Sequence, residues 1–135
     1  MYAIKAQITD PEASSWTLRD QKTMYGGRRI ATGDTIFIFA SENEGGQGLL
    51  AVGRVTSATA TPRKPELERQ TPCVSISIQR TATATGRLGR SELKPFSDWK
   101  DGRPETELNF KLYRQATKKI VGLSEEASAF LRTFF

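Results

Sequence analysis

The chain has 135 residues, 37% apolar and 26% charged, which suits one hydrophobic core and excludes a disordered or fibrous protein. Twenty Lys and Arg against fifteen Asp and Glu leave a net charge of +5, a balance that favours a polyanionic partner. With no histidine and one cysteine, His-based triads, His-ligated metal sites and an intramolecular disulfide are excluded.

No apolar run approaches the roughly 18 residues of a membrane helix. The N-terminus has no basic segment leading into an apolar core, so export is not expected and a cytoplasmic, membrane-free protein is. Residues 1–135 read as a single domain, a monomer or weak dimer.

In chain order, residues 2–8 alternate apolar and polar side chains and end at Asp10-Pro11, the pattern of a half-buried strand closed by a turn. Residues 14–27 scatter Trp16, Leu18, Met24 and Tyr25 among polar residues, which predicts a short helix and a loop. Gly33-Asp34 then opens a strand at 35–41 whose two faces are both partly apolar, so it is covered on both sides. A glycine-rich hairpin at 45–48 leads to a partner strand at 49–55.

Residues 58–71 carry Pro62, Pro65 and several charges and read as a surface connection. Val74, Ile76 and Ile78 alternate with Ser75, Ser77 and Gln79 in a strand over 73–80, with Cys73 a packed thiol at its start. Residues 81–102 predict loops and short pieces, 108–112 a short strand or helical turn, and 119–121 a strand. Ser124 stands where an N-cap belongs, with Glu125 and Glu126 in the first turn. Ala127, Phe130, Leu131 and Phe134 follow at helical spacing, which predicts a terminal helix docked on the sheet. The class is α+β, with a curved, largely antiparallel barrel, short peripheral helices and a C-terminal helix.

Candidate chemistry is sparse. Residues 45–48 lie between strands and lack a following Lys-Ser/Thr, and residues 86–89 fail the dinucleotide spacing, so no cofactor is expected. More informative are Phe37, Phe39 and Ser41 on one face of their strand, Gly53 leaving a gap on the neighbouring strand, and Trp16 with Arg19. An aromatic wall beside a gap suits a nucleobase. The alternative is that Phe37 and Phe39 are core residues under the final helix. Arg28, Arg29, Arg54, Arg87, Arg90, Arg114, Lys118 and Lys119 are candidate phosphate contacts in either case. Two other classes remain open: a metal-dependent enzyme using loop carboxylates, and a protein–protein adaptor anchored by Phe134-Phe135.

The layout resembles the PUA-like superfamily, most closely the EVE domain. The resemblance is carried by the Lys5 strand, Trp16 followed by Arg19, residues 33–41, the hairpin and partner strand of 48–55, and the Arg114-Gln115 tail running to Ser124 and Glu126. It departs from the family's pattern in the residues after Trp16, Thr17-Leu18-Arg19-Asp20, and in having Phe39 where a tyrosine is common. The resemblance implies a module that binds RNA or DNA without catalysis of its own. The base, modified or unmodified, would enter a pocket of Trp16, Phe39 and Ser41 with a further wall from Trp99 or Tyr113.

Overall fold

The chain is described from a computed structural model over residues 1–62, 64–66 and 72–135. Six strands, β1 (Tyr2–Ala6), β2 (Ser15–Met24), β3 (Thr35–Ala40), β4 (Gly48–Ala60), β5 (Cys73–Thr83) and β6 (Lys119–Gly122), close a barrel in the order β1-β3-β4-β5-β2-β6. The β1–β3 and β2–β6 pairings are parallel and the other four antiparallel. Closure leaves the sheet without an edge open to another chain. Three short helices cover one side: α1 (Arg90–Leu93), α2 (Pro104–Asn109), which runs on into a π-helical turn at Phe110–Gln115, and α3 (Glu125–Arg132). No helix among the described residues is long and apolar enough to cross a membrane.

The double-sided apolarity of β3 explains the two cores. Ile36 and Ile38 point into the barrel with Ile4, Val55, Ile76, Ile78 and Ile120. Phe37 and Phe39 point outward into a second core with Leu93, Leu108, Leu112, Ala127 and Leu131 from the helices. Terminal helix and cap form as expected: the Ser124 hydroxyl accepts from the Ala127 N–H at 3.1 Å. Phe134 and Phe135 are half-buried, the first against Phe130 and the second 6.0 Å from Phe37, so the chain's own core takes the rings expected to anchor a partner.

Two expectations are corrected. Residues 15–24 form a strand rather than a helix and loop, because a bulge between Leu18 and Gln21, with Asp20 at φ 52°, breaks the alternation. Trp16 and Leu18 face inward before it and Thr23 after it, so the period of two is lost across the whole segment. Strand β4 also extends to Ala60, so the surface connection is shorter than expected, and its residues 63 and 67–71 lie outside those described.

Glu107 ties α2 to α3. Its carboxylate accepts from the Ser124 hydroxyl, from the Ser124 N–H at 2.9 Å and from the Lys111 ammonium at 3.2 Å. Burial works to raise its pKa, but these hydrogen bonds and the Lys111 charge outweigh burial and hold it below its ordinary value of 4.5. A carboxylate held low stabilises the fold at neutral pH and loses that contribution as the pH falls through its folded value. Glu107→Gln is therefore expected to be less stable than wild type at pH 7, with the gap closing below about pH 4 in urea melts run across the acid range.

Candidate nucleic-acid interface

The expected aromatic wall does not assemble. Phe37 and Phe39 are fully buried in the helix-side core, whereas Trp16 belongs to the barrel interior on the opposite face of β3. The Trp16 indole donates to the Asp10 carbonyl at 3.0 Å and is covered by the Arg80 guanidinium 4.5 Å from its ring, so it clamps the turn after β1. Gly53 is not a ligand gap: a Cβ there would stand 2.5 Å from Ile78 Cγ2 and 2.7 Å from the Gln79 carbonyl, so glycine serves the close approach of β4 to β5. Arg19 is exposed beside the β2 bulge. Trp99 is 70% exposed and lines a separate hollow with Arg103, Glu107 and Phe110.

What does assemble is a polar cluster at the end of β3 under the π-helical turn. Parallel pairing sets Lys5 beside Phe39, so Lys5 and, two residues past Phe39, Ser41 share the helix-covered face. Both are buried, Lys5 at 3% and Ser41 at 1% exposure. The Lys5 ammonium lies 4.3 Å from the centroid of the Tyr113 ring. Burial and then the neighbouring Arg90 charge hold its pKa below the usual lysine range, Glu42 and Glu44 opposing. The Ser41 hydroxyl has no hydrogen-bond partner among the described residues.

Tyr113 is fixed by its hydroxyl, which donates to the Glu42 carboxylate at 3.0 Å. Burial, then the Glu42 charge and this hydrogen bond, hold its pKa far above the ordinary phenol value, so the ring is neutral and the proton stays on the tyrosine. Glu42 also accepts from the Arg90 backbone N–H at 2.6 Å, and Glu44 is ion-paired with Lys118. Gly89 lets Glu42 come close, since a Cβ there would lie 2.7 Å from its Oε2.

Outside the cluster opens a cleft of about 430 Å³ lined by Arg90, Lys94, Ser97, Asn109, Tyr113 and Arg114. Of the residues expected from sequence, the structure thus brings together Ser41, Tyr113, Arg90, Arg114 and Lys118. It leaves the rest dispersed. Arg87 pairs with Glu92 at 3.8 Å; Arg29, next to Arg28, lines a different groove with Tyr2, Tyr25 and Lys111; Arg54 is exposed opposite Thr35; Lys119 lies across from Lys22 on β2. Sequence reasoning missed Lys5, Glu42, Lys94, Ser97 and Asn109 as site residues. For Lys5 the sequence held no signal, because its burial follows from the parallel pairing of β1 with β3 under the helices.

No family model and no curated protein sequence matches the chain. Solved structures do match. The DUF55 domain of human thymocyte nuclear protein 1 superposes with a TM-score of 0.66 at 15% identity, covering 98% of this chain and 96% of that one. The human THYN1 protein in complex with 5-methylcytosine-containing DNA also gives 0.66, at 16% identity and covering 98% and 95%. A Pseudomonas putida protein gives 0.62 at 15% identity, covering 98% and 97%. The chain therefore shares the fold of these proteins, a closed barrel with short helices on one side and a C-terminal helix, as its sequence led one to expect.

Proposed function

We propose that this protein is a nucleic-acid-binding module that takes a base, modified bases included, at the Tyr113 cleft while Arg90, Lys94 and Arg114 hold the adjoining phosphates. The observation that carries it is the meeting of three cations and an aromatic ring around one cleft, with the buried Lys5 ammonium 4.3 Å from the centroid of that ring. Aromatic faces accept any base and cations neutralise the backbone, while buried donors supply the hydrogen bonds that discriminate. A protein of the same fold binding 5-methylcytosine DNA supports the choice of a modified base as first ligand.

Among the described residues no three Cys, Asp or Glu side chains converge to hold an ion. The test is fluorescence anisotropy with labelled single- and double-stranded oligonucleotides, with and without 5-methylcytosine, at several salt concentrations. Binding that weakens with salt, with a slope of about −0.7 to −0.9 per phosphate neutralised, is the expected result. No binding at low salt, or binding indifferent to salt, would end the proposal.

A further inference from the structure

Lys5 and Ser41 pose a physical problem that the cleft alone does not answer. A buried ammonium and a buried hydroxyl are costly unless hydrogen-bonded, and such groups in native proteins usually have a partner. Here the hydroxyl has none among the described residues, and the ammonium rests against the face of a tyrosine. Tyr113 belongs to both settings: its ring covers Lys5 and also lines the open cleft beside Arg90 and Arg114.

We propose that Tyr113 is a displaceable stopper over a polar floor of Lys5 and Ser41, and that a planar base binds there by taking the place of the tyrosine ring. This rests on the base-binding reading and specifies which atoms would be recognised. Lys5 offers only donors and Ser41 one donor with two acceptor lone pairs. The matching edge is a carbonyl oxygen beside an unprotonated ring nitrogen, as on cytosine O2 and N3 or guanine O6 and N7.

Three features suit Tyr113 to this part. It sits in a π-helical turn, Phe110–Gln115, a wide-turned geometry that appears chiefly as short insertions and often at functional sites. Among the described residues its hydroxyl is latched by the Glu42 carboxylate, which also accepts from the Arg90 N–H. Finally, the 430 Å³ cleft on its outer side leaves space for the ring to swing into.

A stopper taxes affinity by the fraction of molecules that are open, so loosening it tightens binding. The test compares wild type, Tyr113→Phe and Tyr113→Ala for affinity to a 5-methylcytosine oligonucleotide, with melting curves to confirm folding. In parallel, acetylation of Lys5 by an amine reagent is followed by peptide mass spectrometry. Tyr113→Phe, which keeps the ring and loses the latch, is expected to bind about fivefold tighter, the equivalent of one ordinary hydrogen bond. Lys5 should be protected in wild type and acetylated in Tyr113→Ala. If both variants bind severalfold more weakly, Tyr113 is a stacking wall; the stopper is overturned and base binding stands. Protection of Lys5 in Tyr113→Ala overturns the stopper, because the ring would then not be what covers Lys5. If no protein in the series binds any oligonucleotide, the base-binding reading falls, and the inference with it.

Discussion

Replacing Phe39 by alanine is expected to destabilise the protein by about 3–5 kcal/mol, as truncation of a fully buried aromatic does. Phe39 has no exposed surface, and its ring is part of the core that joins the barrel to Leu108, Leu112 and Leu131 on the helices. The loss combines the transfer free energy of the ring with a cavity that neighbours on two separate layers cannot easily close. Thermal melting reads the effect as a fall of several degrees per kcal/mol in a domain of this size, roughly 2–8 °C. Melting and oligonucleotide binding measured on the same variant distinguish a core residue from a pocket wall. A pocket wall would lose binding and keep its melting temperature, whereas a core residue does the reverse until the variant unfolds.

The second large effect is on binding. Changing Arg90, Lys94 and Arg114 together to alanine is expected to weaken oligonucleotide affinity by about ten- to a hundredfold near 0.1 M salt and to flatten the salt dependence by about two units of slope on a log–log plot, as loss of three phosphate contacts requires. All three are exposed, so the fold is expected to hold within about 1 kcal/mol. Removing Arg28, Arg29 and Arg54 instead takes away the same charge from other surfaces. That control lowers non-specific attraction but leaves the cleft intact, and it is expected to cost much less. Equal losses in the two triple variants would mean that net charge alone drives binding.

How far the sequence disclosed this can be followed residue by residue. The barrel, the two-sided β3 and the Ser124-capped terminal helix were legible because local periodicity and capping chemistry agree with the fold they enter. Strand β2 was not: one extra residue at the bulge shifts the inward positions by one, and a period of two cannot be seen across it. The site was legible in part. Alternation correctly set Phe37, Phe39 and Ser41 on one face, but whether that face is open or roofed depends on helices lying some 50 to 90 residues further along the chain. Trp16 was misplaced for a related reason. Its inward direction follows from pairing with Ile78 on β5, a register that one strand's pattern does not contain. Lys5 was passed over because an alternating strand ordinarily sends its lysine to water, and only the parallel pairing of β1 with β3 removes the water.

Where a bound strand touches the protein is read most directly from backbone and methyl NMR shifts mapped during titration with a 5-methylcytosine oligonucleotide. Perturbations concentrated at residues 90–97 and 109–118, together with Lys5 and Ser41, are the predicted footprint. A footprint centred on Trp16, Arg80 and the far end of the barrel, with the Tyr113 cleft silent, would contradict it.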